Sequence, residues 1–248
     1  MGRDNKPNPY ARSDQFSQRA RKEGYPARSV YKLEEIDRRI RVFRPGQRVL
    51  DLGCAPGSWL MYAAKKTAPS GRVRGIDLKG LEIALPPNAS AIAGDALEPS
   101  PETEAFLREG APYDVVMSDM APSTSGTAFA DQARSAELVE RTLDVAEQWL
   151  NKDGVWIAKL FMSEALVELR KRVRLLFTEE RVIRPEGTRT VSTEVFLVGI
   201  GKRAEPSALS PPASTAEPPR AAPVPPRSTP ALESAAAAPR RARRTPKA

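Results

Sequence analysis

The chain has 248 residues, enough for one sizeable core or for one domain and a tail. Its one cysteine, Cys54, excludes an intramolecular disulfide and favours a cytoplasmic protein. Histidine is absent, which excludes the commonest general base, the Ser-His-Asp arrangement and most zinc sites. No apolar run approaches the roughly 20 residues that span a bilayer, and the start, MGRDNKPNPYARSDQF, lacks the apolar core of a secretory signal.

The net charge of +8 is unevenly distributed along the chain. Residues 1–48 carry 13 Lys or Arg against 6 Asp or Glu, residues 49–203 carry 19 against 22, and residues 204–248 carry 7 against 3. A slightly acidic middle is therefore flanked by two basic ends. This distribution favours a polyanionic partner that contacts the N-terminal part, although basic ends can also serve only solubility.

The predicted elements alternate between helices and strands. Residues 1–25 are polar and basic and are predicted to be flexible, and a helix is predicted over 29–42. The predicted strands cover 48–52, 71–77, 89–95, 113–119, 155–161, 179–185 and 192–201, and the later predicted helices cover 57–68, 101–110, 131–150 and 163–177. Such alternation predicts an α/β fold with a doubly wound, mostly parallel, seven-stranded sheet. The last two strands have no helix between them, which predicts an antiparallel hairpin at one edge.

The C-terminal segment 204–248 has a different composition from the rest of the chain. It contains 11 of the 24 prolines and no aromatic residue. Such a segment cannot bury enough apolar surface to offset the entropy lost on ordering, and it is predicted to be disordered. The folded domain is therefore predicted to cover 26–203.

The stretch VLDLGCAPGSW, residues 49–59, ends a predicted strand and opens a predicted helix. Gly53 and Gly57 let the backbone turn tightly and approach a ligand, and the first N–H groups of the helix can bind an anionic group. Asp77 ends the second strand and suits the hydroxyls of a ribose, and Asp95 ends the third and can accept a hydrogen bond from the amine of adenine. The pattern favours a nucleoside ligand; a glycine turn with two capping acids is the alternative.

Two charged residues are predicted at the same edge of the sheet. Asp119 ends the fourth strand and Lys159 lies near the end of the fifth, where ligands bind in doubly wound sheets. Lys159 is the one charge in the apolar stretch VWIAKLF, where a charge is costly unless it is used. A lysine that extends to solvent from a strand end is the alternative. The spacing of the glycine loop differs from G-x-G-x-x-G, which disfavours a nicotinamide-dependent oxidoreductase.

The motifs DLGCAPGSW, GIDL, GD and VVMSDMAPSTSGT resemble those of the FtsJ family of S-adenosylmethionine-dependent RNA ribose 2′-O-methyltransferases. The resemblance covers about residues 12–203 and implies a Rossmann-like methyltransferase fold. It implies a catalytic Lys-Asp-Lys-Glu set at Lys32, Asp119, Lys159 and Glu194. The implied cofactor contacts are Gly57, Trp59, Asp77, Asp95 and Asp119, with Gly53 in the same loop. Cys54 stands where alanine is more usual in the family, and the tail has no counterpart in the compact members.

The resemblance also implies a reaction and a substrate. The protein is expected to methylate a ribose 2′-hydroxyl, with uridine as the expected nucleotide, in large-subunit (23S) ribosomal RNA during ribosome maturation, as a cytoplasmic monomer without a metal. A lysine acts as a base only in its neutral form, which burial or a neighbouring cation favours, so Lys159 and Lys32 are expected to share one cleft with the two carboxylates. Transfer RNA, an mRNA cap ribose, and an assembly role without catalysis remain alternatives.

Basic residues near the N-terminus form the predicted RNA-contact surface. They are Arg12, Arg19, Arg21, Lys22, Arg28, Arg38 and Arg39. Nearby Phe16, Tyr25 and Tyr31 either stack on RNA bases or pack the N-terminal helix. A later basic run over 170–174 either extends this surface or is only solvated. The stretch DMAPSTSG has no aromatic residue, which argues against methylation of a base amine.

Overall fold

A computed structural model describes residues 11–122, 126–186 and 193–205 of the chain. The side chains of residues 11–14 lie outside this description, and so does the predicted tail from residue 206 onward. Within the described ranges no helix is long and apolar enough to cross a membrane.

Helices and strands alternate in the predicted order. The helices are Ala11–Lys22 (α1), Val30–Ile40 (α2), Ser58–Thr67 (α3), Pro101–Gly110 (α4), Ala128–Trp149 (α5) and Ala165–Leu176 (α6). The strands are Arg48–Leu52 (β1), Arg72–Asp77 (β2), Ala89–Ala93 (β3), Tyr113–Ser118 (β4), Leu150–Phe161 (β5), Phe177–Ile183 (β6) and Glu194–Lys202 (β7). Two differences from the prediction are α1, which was not predicted, and β5, which begins at Leu150 rather than at residue 155.

The seven strands form one sheet in the order β3-β2-β1-β4-β5-β7-β6. Strands β1 to β5 pair in parallel, and β7 is antiparallel to both β5 and β6. The predicted mostly parallel sheet with an antiparallel C-terminal hairpin is therefore confirmed. The chain runs outward from β1 in one direction through β2 and β3 and then crosses to β4 on the other side. The switch point, where ligands bind in such sheets, lies between β1 and β4.

Apolar side chains pack both faces of the sheet. On one face Leu50 and Leu52 of β1 join a cluster that includes Leu143 of α5 and Val173 of α6. On the other face Val49 joins a cluster from α1, α2 and α3. Alternate residues of a strand point to opposite faces, so each buried strand supplies both clusters.

The segment over 1–25, which was predicted to be flexible, contains the helix α1. Ala20 is buried, and the ring of Phe16 lies 5.6 Å from that of Tyr31 in α2. The guanidinium of Arg19 lies 4.3 Å above the same Tyr31 ring. A polar helix can dock through these few contacts, which overall composition does not reveal. Phe16 and Tyr31 therefore pack α1 against α2.

Candidate active site

The loop after β1 turns sharply at the switch point. Gly53 N and Cys54 N both donate to the carbonyl of Ile76, at 2.8 and 3.1 Å, which ties the loop to β2. Gly53 has φ +75°, and a Cβ at this position would lie 2.1 Å from Cγ of Met120. This turn therefore requires glycine both for its backbone conformation and for the close approach of Met120.

Asp77 and Asp95, at the ends of β2 and β3, organise the backbone around the loop. Asp77 accepts hydrogen bonds from Ala55 N at 3.0 Å and from Lys79 N at 2.8 Å, one on each carboxylate oxygen. Asp95 Oδ1 accepts from Leu97 N at 2.8 Å. A carboxylate oxygen can accept two hydrogen bonds, so these contacts leave acceptor capacity for a ligand. The two acids therefore cap nearby backbone N–H groups, as the alternative interpretation of the sequence expected. They can still accept hydrogen bonds from a nucleoside.

A cleft of about 450 Å³ opens where these strands end. Of the predicted cofactor residues it is lined by Gly53, Asp77, Asp95 and Asp119. Its apolar lining, which includes Leu78, Leu97 and Met120, was missed by sequence reasoning. Leu78 is 75% exposed in the structure. In the sequence it directly follows the strand-end acid Asp77, and this position is the signal that could have identified it. The volume lies within the usual range for sites that bind small molecules and cofactors.

Gly57 and Trp59 lie apart from the described lining of this cleft. Gly57 has φ +107°, and a Cβ there would lie 2.4 Å from Cδ1 of Ile83. Trp59 is only 3% exposed, and its indole Nε1 donates to the carbonyl of Ser29 at 2.9 Å. The ring of Trp59 therefore packs in the core, and its predicted cofactor contact stays a prediction. Its backbone N–H lies in the first turn of α3, where N–H groups lack intrahelical acceptors.

Lys159 and Asp119 form an ion pair beside the cleft. The register pairs Ser118 of β4 with Ala158 of β5, so the residues that follow, Asp119 and Lys159, are neighbours. Lys159 Nζ lies 2.9 Å from Asp119 Oδ1, a contact without hydrogen-bond geometry, and donates a hydrogen bond to the backbone carbonyl of Asp119. The Lys159 side chain is 9% exposed, so the ammonium is not a solvated strand end. Asp119 belongs to both the cleft and the ion pair.

Lys32 and Glu194 form a second, largely buried ion pair. The β5–β7 register sets Lys159 opposite Phe196 and Phe161 opposite Glu194, so Glu194 and Lys159 lie on the same face at the same edge. The ammonium of Lys32, from α2, lies 5.9 Å from the centroid of the Phe196 ring. The structure therefore brings the four predicted catalytic residues together on one face of the sheet, at the end where the parallel strands β4 and β5 terminate.

Asp51, within β1, is a buried acid that sequence reasoning did not single out. It is 1% exposed, and neither carboxyl oxygen has a hydrogen-bond partner among the described residues. Burial, followed by the nearby Asp119 and Asp77, raises the pKa of Asp51 well above its ordinary value. Burial, followed by Asp51, also raises the pKa of Cys54. The acids that line the cleft itself, Asp77, Asp95 and Asp119, make it suited to a cationic ligand.

The predicted RNA-contact residues lie on α1, on α2 and in the segment between them. Arg21, Lys22, Arg38 and Arg39 are exposed, and Arg28 is half-buried. Arg19 forms an ion pair with Glu23 at 2.7 Å, and Arg39 pairs with Glu35. The side chain of Arg12 lies outside the described residues.

The later basic run on α6 is balanced by carboxylates. Arg170 and Arg174 both pair with Glu180, and Lys171 pairs with Glu168. Arg172 lies between Asp144 and Glu147 of α5. Each of these cations therefore already has an acidic neighbour, which favours the interpretation of a solvated basic run.

The glycine turn, the strand-end acids and the two lysine–carboxylate pairs meet at the switch point of the sheet. Together they define a Rossmann-like protein in which a nucleoside-sized cleft adjoins two lysine–carboxylate ion pairs. The described side chains contain no cluster of three or more potential metal ligands.

Comparison with known proteins places the chain in a family. The sequence profile of the FtsJ-like methyltransferases matches residues 25–202. The ribosomal RNA large subunit methyltransferase E of Sorangium cellulosum is 54% identical over 197 residues, which cover 79% of this chain and 92% of that protein. The protein of the same name from Desulforapulum autotrophicum is 47% identical over 193 residues, which cover 77% and 93%. The chain belongs to the FtsJ-like methyltransferase family.

A solved structure agrees with this assignment. A crystal structure of a Plasmodium falciparum protein described as a ribosomal RNA methyltransferase matches with a TM-score of 0.64 and 25% sequence identity. The match covers 72% of this chain and 98% of that chain.

The raised pKa of Asp51 gives a testable pH dependence of stability. The folded state retains a proton that the unfolded carboxyl has already lost, so stability falls as the pH rises above the ordinary carboxyl value. Asp51→Asn cannot ionise, and we expect it to lose less stability than the parent protein between about pH 5 and about pH 8. Thermal unfolding at several pH values measures this. Asp153→Asn, at an exposed site, should follow the parent protein; equal slopes for Asp51→Asn and the parent would contradict the assignment.

Proposed function

We propose that this protein transfers the methyl group of S-adenosylmethionine to a ribose 2′-hydroxyl of large-subunit ribosomal RNA. The main support for this proposal is the position of Asp119, which lines the cleft and also forms an ion pair with the largely buried Lys159. A cofactor in the cleft and a proton acceptor for a substrate hydroxyl would therefore be neighbours. The names of the similar curated proteins support ribosomal RNA as the substrate.

The cleft fits S-adenosylmethionine. Its acids suit the positive charges of this cofactor, and its volume of about 450 Å³ suits a nucleoside with an amino-acid extension. Asp77 and Asp95 have acceptor capacity for the ribose hydroxyls and the adenine amine. When bound, the cofactor supplies a methyl group already activated on a sulfonium. The protein then has to position the ribose hydroxyl and remove its proton.

The lysine–carboxylate pairs carry the proton chemistry. Lys159, as a neutral amine, accepts the proton of the 2′-hydroxyl, and Asp119 orients Nζ and stabilises the ammonium that forms. Glu194 holds Lys32 over Phe196, where its ammonium stabilises negative charge on the 2′-oxygen. Each cation has a carboxylate partner, so the group stays near neutrality in a poorly solvated place.

The names of the relatives favour ribosomal RNA over transfer RNA and the mRNA cap. The complete set of four catalytic candidates at one edge of the sheet favours an enzyme over a binding protein that only assists assembly. The uridine, the monomeric state and the cytoplasmic location remain predictions.

Lys159 provides the sharpest test of the mechanism. We expect Lys159→Ala to lower turnover by about 100-fold or more, the scale of general-base catalysis, because it removes the proton acceptor. Lys159→Arg should be nearly as inactive, since a guanidinium keeps its proton. Labelled methyl transfer to RNA under single-turnover conditions measures both variants against the parent.

The controls separate chemistry from binding. Calorimetry with S-adenosylmethionine should give nearly the same affinity for both Lys159 variants and the parent. Lys152→Ala, at an exposed position near the start of β5, should keep full turnover. High activity in Lys159→Arg would eliminate the base role and leave only an electrostatic one.

The basic surface of α1 and α2 can be tested separately. We expect Arg21→Glu with Lys22→Glu to weaken RNA binding and to reduce the slope of log affinity against log salt by about 0.7 for each lost phosphate contact. The matched control is Arg72→Glu with Lys152→Glu. Both are exposed cations near the starts of their strands, β2 and β5, at the end of the sheet away from the cleft. Filter binding at several salt concentrations measures both pairs. Equal loss in the two pairs would mean that only net charge matters, and no loss would place the RNA elsewhere.

A further inference from the structure

Two buried residues in the first turn of α3 contact the segment that leads into α2. We infer that Ser58 and Trp59 are positioning residues. They connect the loop over 53–57, called the cofactor-binding loop below, to Lys32 and hold this lysine in place for the reaction. The inference rests on the proposed function, since it gives these residues a part in methyl transfer. It also accounts for a tryptophan whose ring is turned away from the cleft.

Ser58 holds the backbone of residue 27. Its buried Oγ accepts a hydrogen bond from Ala27 N at 2.7 Å and donates one to Ala27 O at 3.0 Å. One hydroxyl thereby satisfies both backbone polar groups of Ala27, a partly buried residue outside any helix or strand. Ser58 directly follows Gly57, so this contact begins where the cofactor-binding loop becomes α3.

Trp59 contacts Ser29, which lies two residues after Ala27 and directly precedes α2. Its Nε1 donates to Ser29 O at 2.9 Å, and the same carbonyl accepts the backbone N–H of Lys32 at 3.1 Å. The carbonyl that begins the helical turn carrying Lys32 is therefore fixed by Trp59. This contact defines where the backbone of Lys32 lies relative to α3.

The ring of Trp59 also supports the other end of Lys32. It lies 5.6 Å from the Phe196 ring, and the ammonium of Lys32 lies 5.9 Å from the centroid of that ring. Phe196 stands opposite Lys159 in the β5–β7 register. Trp59 thus influences Lys32 through its backbone and through the aromatic surface below its ammonium. Small displacements of a catalytic group can cost a large part of the rate.

The chain contains a matched control for a purely structural role. Trp156 is fully buried on β5 and packs against Phe177 at 6.3 Å, in the cluster on the opposite face of the sheet. Its Nε1 has no hydrogen-bond partner in the part of the chain that the structure describes. Trp→Phe at either position removes a similar amount of buried ring, but only Trp59→Phe also removes a hydrogen bond to α2.

The experiment compares Trp59→Phe, Trp156→Phe and Ser58→Ala. Turnover and the KM for RNA, the affinity for S-adenosylmethionine, and the melting temperature are measured for each. We expect Trp59→Phe to lower turnover by about 10-fold or more while cofactor affinity stays within about twofold. Trp156→Phe should keep turnover within about twofold of the parent, even if its melting temperature falls by as much as that of Trp59→Phe. Ser58→Ala should behave like Trp59→Phe, and it carries the test if Trp59→Phe does not fold.

Amide hydrogen exchange gives a readout that is independent of activity. The Lys32 N–H bonds to the carbonyl that Trp59 holds, so Trp59→Phe should speed exchange over residues 30–34, and Trp156→Phe should not. Unchanged exchange there would overturn the inference. Activity losses that follow melting temperature equally in both tryptophan variants would also overturn it, and so would a loss of cofactor affinity at unchanged turnover. A parent protein that methylates no RNA would instead refute the proposed function, and the exchange result would still decide whether Trp59 positions Lys32.

Discussion

The site depends on the cost of placing one cation at the end of an apolar strand. Lys159 lies in β5 among buried neighbours, and an isolated ammonium there would be strongly unfavourable. The adjoining strand β4 supplies the compensating carboxylate, Asp119, through the parallel register. The carboxylate that stabilises the cation also lines the cleft. In the proposed reaction, cofactor binding and proton removal therefore share a residue because of how the sheet is paired.

The second ion pair shows how distant parts of the chain complete the site. Lys32 and Glu194 are 162 positions apart in sequence. Glu194 reaches the site because β7 inserts between β5 and β6, antiparallel to both. Lys32 reaches it because α2 packs on the same face and is held by α3 through Ser29 and Ala27. Three parts of the chain thus meet on one face of the sheet. They are helix α2, the loop over 53–57 that leads into α3, and the hairpin of β6 and β7.

Much of this arrangement could be predicted from the sequence. The apolar strands, their strand-end acids and the turn glycine Gly53 have local signatures, and the alternation of elements predicts a mostly parallel sheet. The ion pairs could not be predicted from the residues alone, because they depend on strand register and on the docking of α2. The direction of the Trp59 side chain was also beyond reach, since a tryptophan in a first helical turn can face a ligand or the core. The helix α1 was missed because a few buried contacts outweigh its polar composition.

The central claim is that the methyl group goes to a ribose 2′-oxygen of large-subunit ribosomal RNA. The most direct test incubates the protein with labelled S-adenosylmethionine and large ribosomal subunits from cells that lack the gene, digests the RNA to nucleosides, and locates the label by mass spectrometry. We expect label on the ribose of a 2′-O-methylated nucleoside. Label on a nucleobase, or no label in any nucleoside, would contradict it.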